Sequence, residues 1–90
     1  MSLLVTFGGV SMIDSLQIRA ARSSLDWTID KLASEASLNR RTVIRIEAKD
    51  SKVAASQKTL LAIQTALENA GIEFIFADDG ARGILFRLPE

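Results

Sequence analysis

The stretch TIDKLASEASLNRRTVIRIEAKD, from Thr28 to Asp50, carries two short helical patterns separated by a break. Ile29, Leu32, Ala33 and Ala36 recur at i, i+3, i+4 and i+7, which gathers them on one face of a helix. Thr28 stands just before that pattern, where a hydroxyl can cap the first turn. After the small-residue break at Ser37, Leu38 anchors a turn and Asn39 supplies a second N-cap. Val43 and Ile46 then mark the inner side of a second helix. Arg40, Arg41, Ile44 and Arg45 fall on its outer side.

A helix held from within by Val43 and Ile46 has its other side free to enter a nucleic-acid groove. Arginine forks to guanine O6 and N7 or clamps phosphate, and asparagine pairs with adenine. Asn39, Arg40, Arg41, Thr42 and Arg45 are therefore the residue types that base reading needs, and Ile44 is suited to a thymine methyl. For a basic helix taken alone, the alternative is a solvated charged face.

The stretch resembles the helix-turn-helix of the Xre/Cro repressor family of transcriptional regulators. The likeness is carried by Leu32-Ala33 within helix two, Ala36 at the turn, and Thr42-Val43-Ile44-Arg45-Ile46-Glu47 as the family's Thr-hydrophobic-x-Arg-hydrophobic-Glu third helix. Arg22 stands where the family carries an arginine that pairs with the glutamate ending helix three, here Glu47. The resemblance runs from Ile13 to Gly71. It implies a mainly α, four-helix, lambda-repressor-like domain that reads double-stranded DNA with helix three in the major groove, as a repressor or autoregulator on paired half-sites. Two residues depart from the pattern. Ser37 replaces the glycine usual in the turn, where a positive φ has a steric cost for serine. Ile29 replaces a glutamine that often touches DNA, which removes one polar contact.

Ninety residues with 48% hydrophobic content predict one domain with a small core. A net charge of zero argues against broad nonspecific attraction to nucleic acid, so the distribution of charge matters more than its total. Residues 40–58 hold six basic and two acidic side chains, whereas both flanks are net acidic. Lys49, Lys52 and Lys58 belong to this basic segment. With the helix starts at Thr28 and Ser56, they are the candidate phosphate contacts that fix docking register.

Cysteine is absent, so no disulfide or thiolate metal site is available, which suits the cytoplasm. No apolar run reaches the length of a membrane span, and MSLLVTFGGVSM lacks the basic n-region and long apolar core of a secretory signal. The expectation is a cytoplasmic protein with no membrane association. Histidine and tyrosine are also missing, which removes the usual general bases and predicts no enzyme, no cofactor and no metal. Asp78-Asp79 precede Gly80 and read as turn chemistry; Gly8-Gly9 lack the spacing of a phosphate loop.

Residues 1–12 form an apolar extension in which Leu3 to Phe7 is a candidate strand, with Met12 an alternative start. Asp14-Ser15-Leu16-Gln17 has the form of a capping box and opens helix one, which runs to about Ser24. Its inner face is Ile18, Ala21 and Leu25, with Trp27 closing the corner. Helix four begins near Ser56 and lays Leu60, Leu61, Ile63, Ala66, Leu67 and Ala70 along a broad apolar stripe that stops at Gly71. Residues 13–71 thus make the helical domain.

Over residues 72–90 the period changes to two. Ile72, Phe74 and Phe76 alternate on one run and Ile84, Phe86 and Leu88 on another, which reads as an appended β-hairpin. A lone hairpin is marginal and leaves its edges unpaired. Phe74, Phe76, Ile84 and Phe86 are accordingly assigned to homodimerisation; the alternative is a hairpin that covers the back of the helical core. A protein-interaction module, antitoxin-like or adaptor, that binds a protein partner through this hairpin is the second functional reading.

Overall fold

Asp14 opens helix α1 (Ser15–Ser24) through the predicted capping box. Its carboxylate accepts the Gln17 N–H at 2.9 Å, and the Gln17 side-chain oxygen accepts the Asp14 N–H at 3.1 Å. These geometries come from a computed structural model that describes residues 12–48 and 56–87. Thr28 caps α2 (Ile29–Ala36), Asn39 caps α3 (Arg40–Glu47) and Ser56 caps α4 (Gln57–Asn69), each side-chain oxygen accepting the N–H three residues on. An antiparallel hairpin of β1 (Ile72–Phe76) and β2 (Arg82–Phe86) follows. Among the described residues the fold is mainly helical with a small two-stranded sheet. The candidate strand Leu3 to Phe7 lies outside the described residues.

Two helices end on non-glycine residues in the left-handed region. At the end of α2, Ser37 has φ 58°, the Leu38 N–H donates to the Ala33 carbonyl at 2.9 Å, and the Ser37 N–H donates to Ser34 at 3.2 Å. At the end of α1, Asp26 has φ 57°, with Trp27 N–H donating to Arg22 and Asp26 N–H to Ser23, both at 3.0 Å. This paired bonding satisfies carbonyls that a helix end leaves orphaned. It also turns Leu38 and Trp27 back against the core.

Ile18 from α1, Leu32 from α2, Val43 from α3, and Ile63 and Leu67 from α4 are fully buried. Each such side chain contributes roughly 1.5–3 kcal/mol by leaving water. The stripe on α4 is narrower than the sequence predicts: Leu61 points outward and is 55% exposed. Its neighbours Leu60 and Ile63 already fill the inner side, and one residue of helix rotates the next side chain by about 100°.

The hairpin closes the core from the end of α4, with β1 against α4 and β2 against α1. Its register pairs Ile72 with Phe86, Phe74 with Ile84 and Phe76 with Arg82 on the inner face. Phe74 is only 3% exposed, and Phe76, Ile84 and Phe86 pack on the same core. Phe74 is thus covered by the protomer's own helices, and Phe76, Ile84 and Phe86, assigned from the sequence to a dimer surface, are in part occupied by the same core. What the hairpin offers outward is Glu73, Ile75 and Leu85. Gly71 starts this element at φ 108°, where a Cβ would meet the Arg87 carbonyl oxygen at 2.8 Å.

Ile75 and Gly83 face each other in the register with their Cα substituents outward, so the inner face there is bare backbone. Gln17 fills it. Its buried side-chain amide donates to the Ile75 carbonyl at 3.3 Å and the Gly83 carbonyl at 3.0 Å. One side chain thus caps α1 and fastens both strands to it. Gln17→Ala is expected to lower the free energy of unfolding in urea by about 1–3 kcal/mol, the range for removing a partner from buried polar groups. Ser37→Gly should raise it by about 1 kcal/mol in the same measurement, because glycine relieves the left-handed strain.

Candidate nucleic-acid interface

Helix α3 is anchored by a charge at its last residue. Glu47 is buried, and Arg22 of α1 grips it with two parallel bonds, Nε to Oε2 at 2.8 Å and Nη2 to Oε1 at 2.9 Å. The remaining Arg22 amine donates to the Trp27 carbonyl at 2.9 Å. The hydrogen bond to Glu47 raises Arg22 above the ordinary guanidinium pKa; partial burial opposes this, and the attraction of the Glu47 charge adds to it. Arg19, one turn earlier, donates to the Glu47 backbone carbonyl at 2.7 Å and covers an orphaned acceptor at the end of α3. The pairing that the resemblance implies is present, and Arg19 joins it.

That anchor fixes the rotation of α3. Val43 and Glu47 face inward, Ile46 sits half-buried beside them, and Arg41, Ile44 and Arg45 point away from the core. Ile44 is 43% exposed. Eight residues make a rod about 12 Å long. Asn39, Arg40, Arg41 and Ile44 line one shallow surface depression at the start of this helix.

The three arginines are not equivalent. Arg40 pairs with Asp30 in the first turn of α2, Nε to Oδ1 at 3.3 Å. Arg41 and Arg45 have no carboxylate within ion-pair distance among the described residues. Asn39 and Thr42 are partly occupied as well: the Asn39 side-chain oxygen accepts both the Thr42 N–H at 2.9 Å and the Thr42 hydroxyl at 3.1 Å. A two-handed contact from Asn39 to adenine would compete with this cap. Thr28 likewise uses its hydroxyl to accept the Lys31 N–H at 3.0 Å.

Lys58 is exposed in the first turn of α4, and no residue of that helix lines the depression. Lys49 and Lys52 lie outside the described residues. Lys31, which the sequence reading passed over, is exposed on α2, 3.1 Å from Glu35 and 5.6 Å from the centre of the Trp27 ring. Asp30 was passed over too. Only the angle between α2 and α3 brings it to Arg40, and no spacing within one helix signals that. Arg19 had a signal, since it lies three residues before Arg22 on the same face.

Among the described residues no helix is long and apolar enough to cross a membrane. No protein-family model matches the chain, and no curated protein matches it.

Arg22→Ala would strand the buried Glu47 carboxylate. It should cost about 3–5 kcal/mol in chemical denaturation, as breaking one side of a buried pair does. Replacing both partners, Arg22→Met with Glu47→Leu, should cost markedly less than that single change.

Proposed function

We propose that this protein is a sequence-specific DNA-binding transcriptional regulator of the cytoplasm, a dimeric repressor or autoregulator that presents α3 to the major groove. The observation that carries the reading is the outward face of α3, where Arg41, Ile44 and Arg45 project from a helix whose opposite side is locked by Val43 and the Arg22–Glu47 pair. The resemblance of residues 13–71 to the helix-turn-helix of Xre/Cro repressors supports it. So does the basic character of residues 40–58 within a chain of zero net charge.

In this reading Arg40, Arg41 and Arg45 divide base contacts and phosphate clamps between them, with Ile44 set for a thymine methyl. Thr28 and Lys58 stand at helix starts, where backbone N–H groups favour phosphate. The zero net charge keeps nonspecific attraction low, so discrimination rests on this face. The second copy would meet the hairpin along its strand edges or its outer Ile75 and Leu85, the surfaces that the helical core leaves open.

Selection of bound DNA from a random duplex pool at near-physiological salt tests the reading. An enriched inverted repeat is the expected result; a pool that stays random overturns it. On the selected site, Arg41→Ala should weaken binding by about 1–3 kcal/mol. Single-base variants then separate its roles: loss at one guanine marks base reading, and equal loss on every sequence marks a phosphate contact.

A further inference from the structure

The pair between Asp30 and Arg40 joins the first turns of the two helices that frame the candidate interface. Both side chains are largely in water, at 73% and 58% exposure, so the pair contributes little to holding the fold. Its geometry is selective nonetheless. The closest approach is between Asp30 Oδ1 and Arg40 Nε, 3.3 Å, an ionic contact on the Nε side of the guanidinium, and among the described residues no hydrogen bond joins the carboxylate to either terminal amine. Those two amines are the pair that forks end-on to guanine O6 and N7.

Arg40 also forms part of the wall of the depression shared with Asn39, Arg41 and Ile44. Arg41 and Arg45, with no carboxylate partner among the described residues, keep the freedom of long flexible cations. Arginine has large rotamer entropy to lose on binding, and a partner that restrains it beforehand reduces that loss.

We infer that Asp30 is a positioning residue for guanine recognition: its charge draws Arg40 from the Nε side so that the terminal amines meet one guanine of the bound site. The inference rests on the DNA-reading function proposed above. It gives α2 a part in specificity and divides the arginines, with Arg40 the oriented base reader. On docking, the pair loses water and its electrostatic coupling strengthens, so a contact that is weak in the free protein gains weight in the complex.

The test is a double-mutant cycle on base discrimination with the full chain. Wild type, D30A, R40A and the double variant are titrated against the selected duplex and its single-base variants. Circular dichroism melting runs alongside, because an acidic residue in a first helical turn also favours the helix dipole.

R40A should reduce the preference for one guanine roughly tenfold or more. D30A should reduce preference at that same position by up to about fivefold, the size that an exposed ion pair supports. The double variant should discriminate no worse than R40A alone. D30A that keeps full discrimination, or that strengthens binding to every sequence alike, overturns the inference and leaves the DNA reading intact. If D30A still alters discrimination in the R40A background, Asp30 acts on DNA directly and the positioning role is overturned. A wild-type protein that prefers no sequence removes the DNA reading and this inference with it.

Discussion

The buried carboxylate of Glu47 is the constraint on which the candidate interface depends. A charge taken out of water is tolerated only when its oxygens are bonded and its sign is balanced. Arg22 supplies both through a two-point grip, and the same guanidinium reaches the Trp27 carbonyl. Because the grip is directional, it sets the distance between α1 and α3 and also the rotation of α3 about its axis. Hydrophobic contact from Val43 alone would leave that rotation looser, since dispersion is not directional. The outward set of Arg41, Ile44 and Arg45 follows from where the inward charge is held.

Much of this was legible in the chain. Asp14, Thr28, Asn39 and Ser56 were each read as helix starts and each caps its helix, because a short polar side chain before an apolar period leaves few alternatives. The outer face of α3 follows from rotation per residue alone. What lay beyond reach depends on how elements meet. Period two shows that Phe74 and Ile84 share a face, but not whether a second copy or the chain's own helices cover it. Leu61 fitted the apolar stripe by composition and lost its place to packing. The Asp30–Arg40 contact joins residues ten apart in sequence through the angle of a turn, and residue spacing carries no record of that angle.

The turn itself shows local preference yielding to tertiary gain. Serine and aspartate occupy left-handed positions where glycine is the usual occupant. The strain is of order 1–2 kcal/mol per site. It is offset by packing the partly buried Leu38 and Trp27 against the core and by satisfying the last carbonyls of α1 and α2. The departure at Ser37 from the glycine expected there thus leaves the backbone path unchanged in kind. The consequence is energetic.

Gln17 links residues that are made at very different times. Its side-chain amide belongs to α1, the first of the described helices to be synthesised, whereas its acceptors, Ile75 and Gly83, are 58 and 66 residues later. Without both strands the NH2 group of that amide has no protein acceptor, although its oxygen still accepts the Asp14 N–H within the helix cap. The contact between α1 and the hairpin can close only when both strands are present, and one side chain thereby ties the two ends of the described chain together.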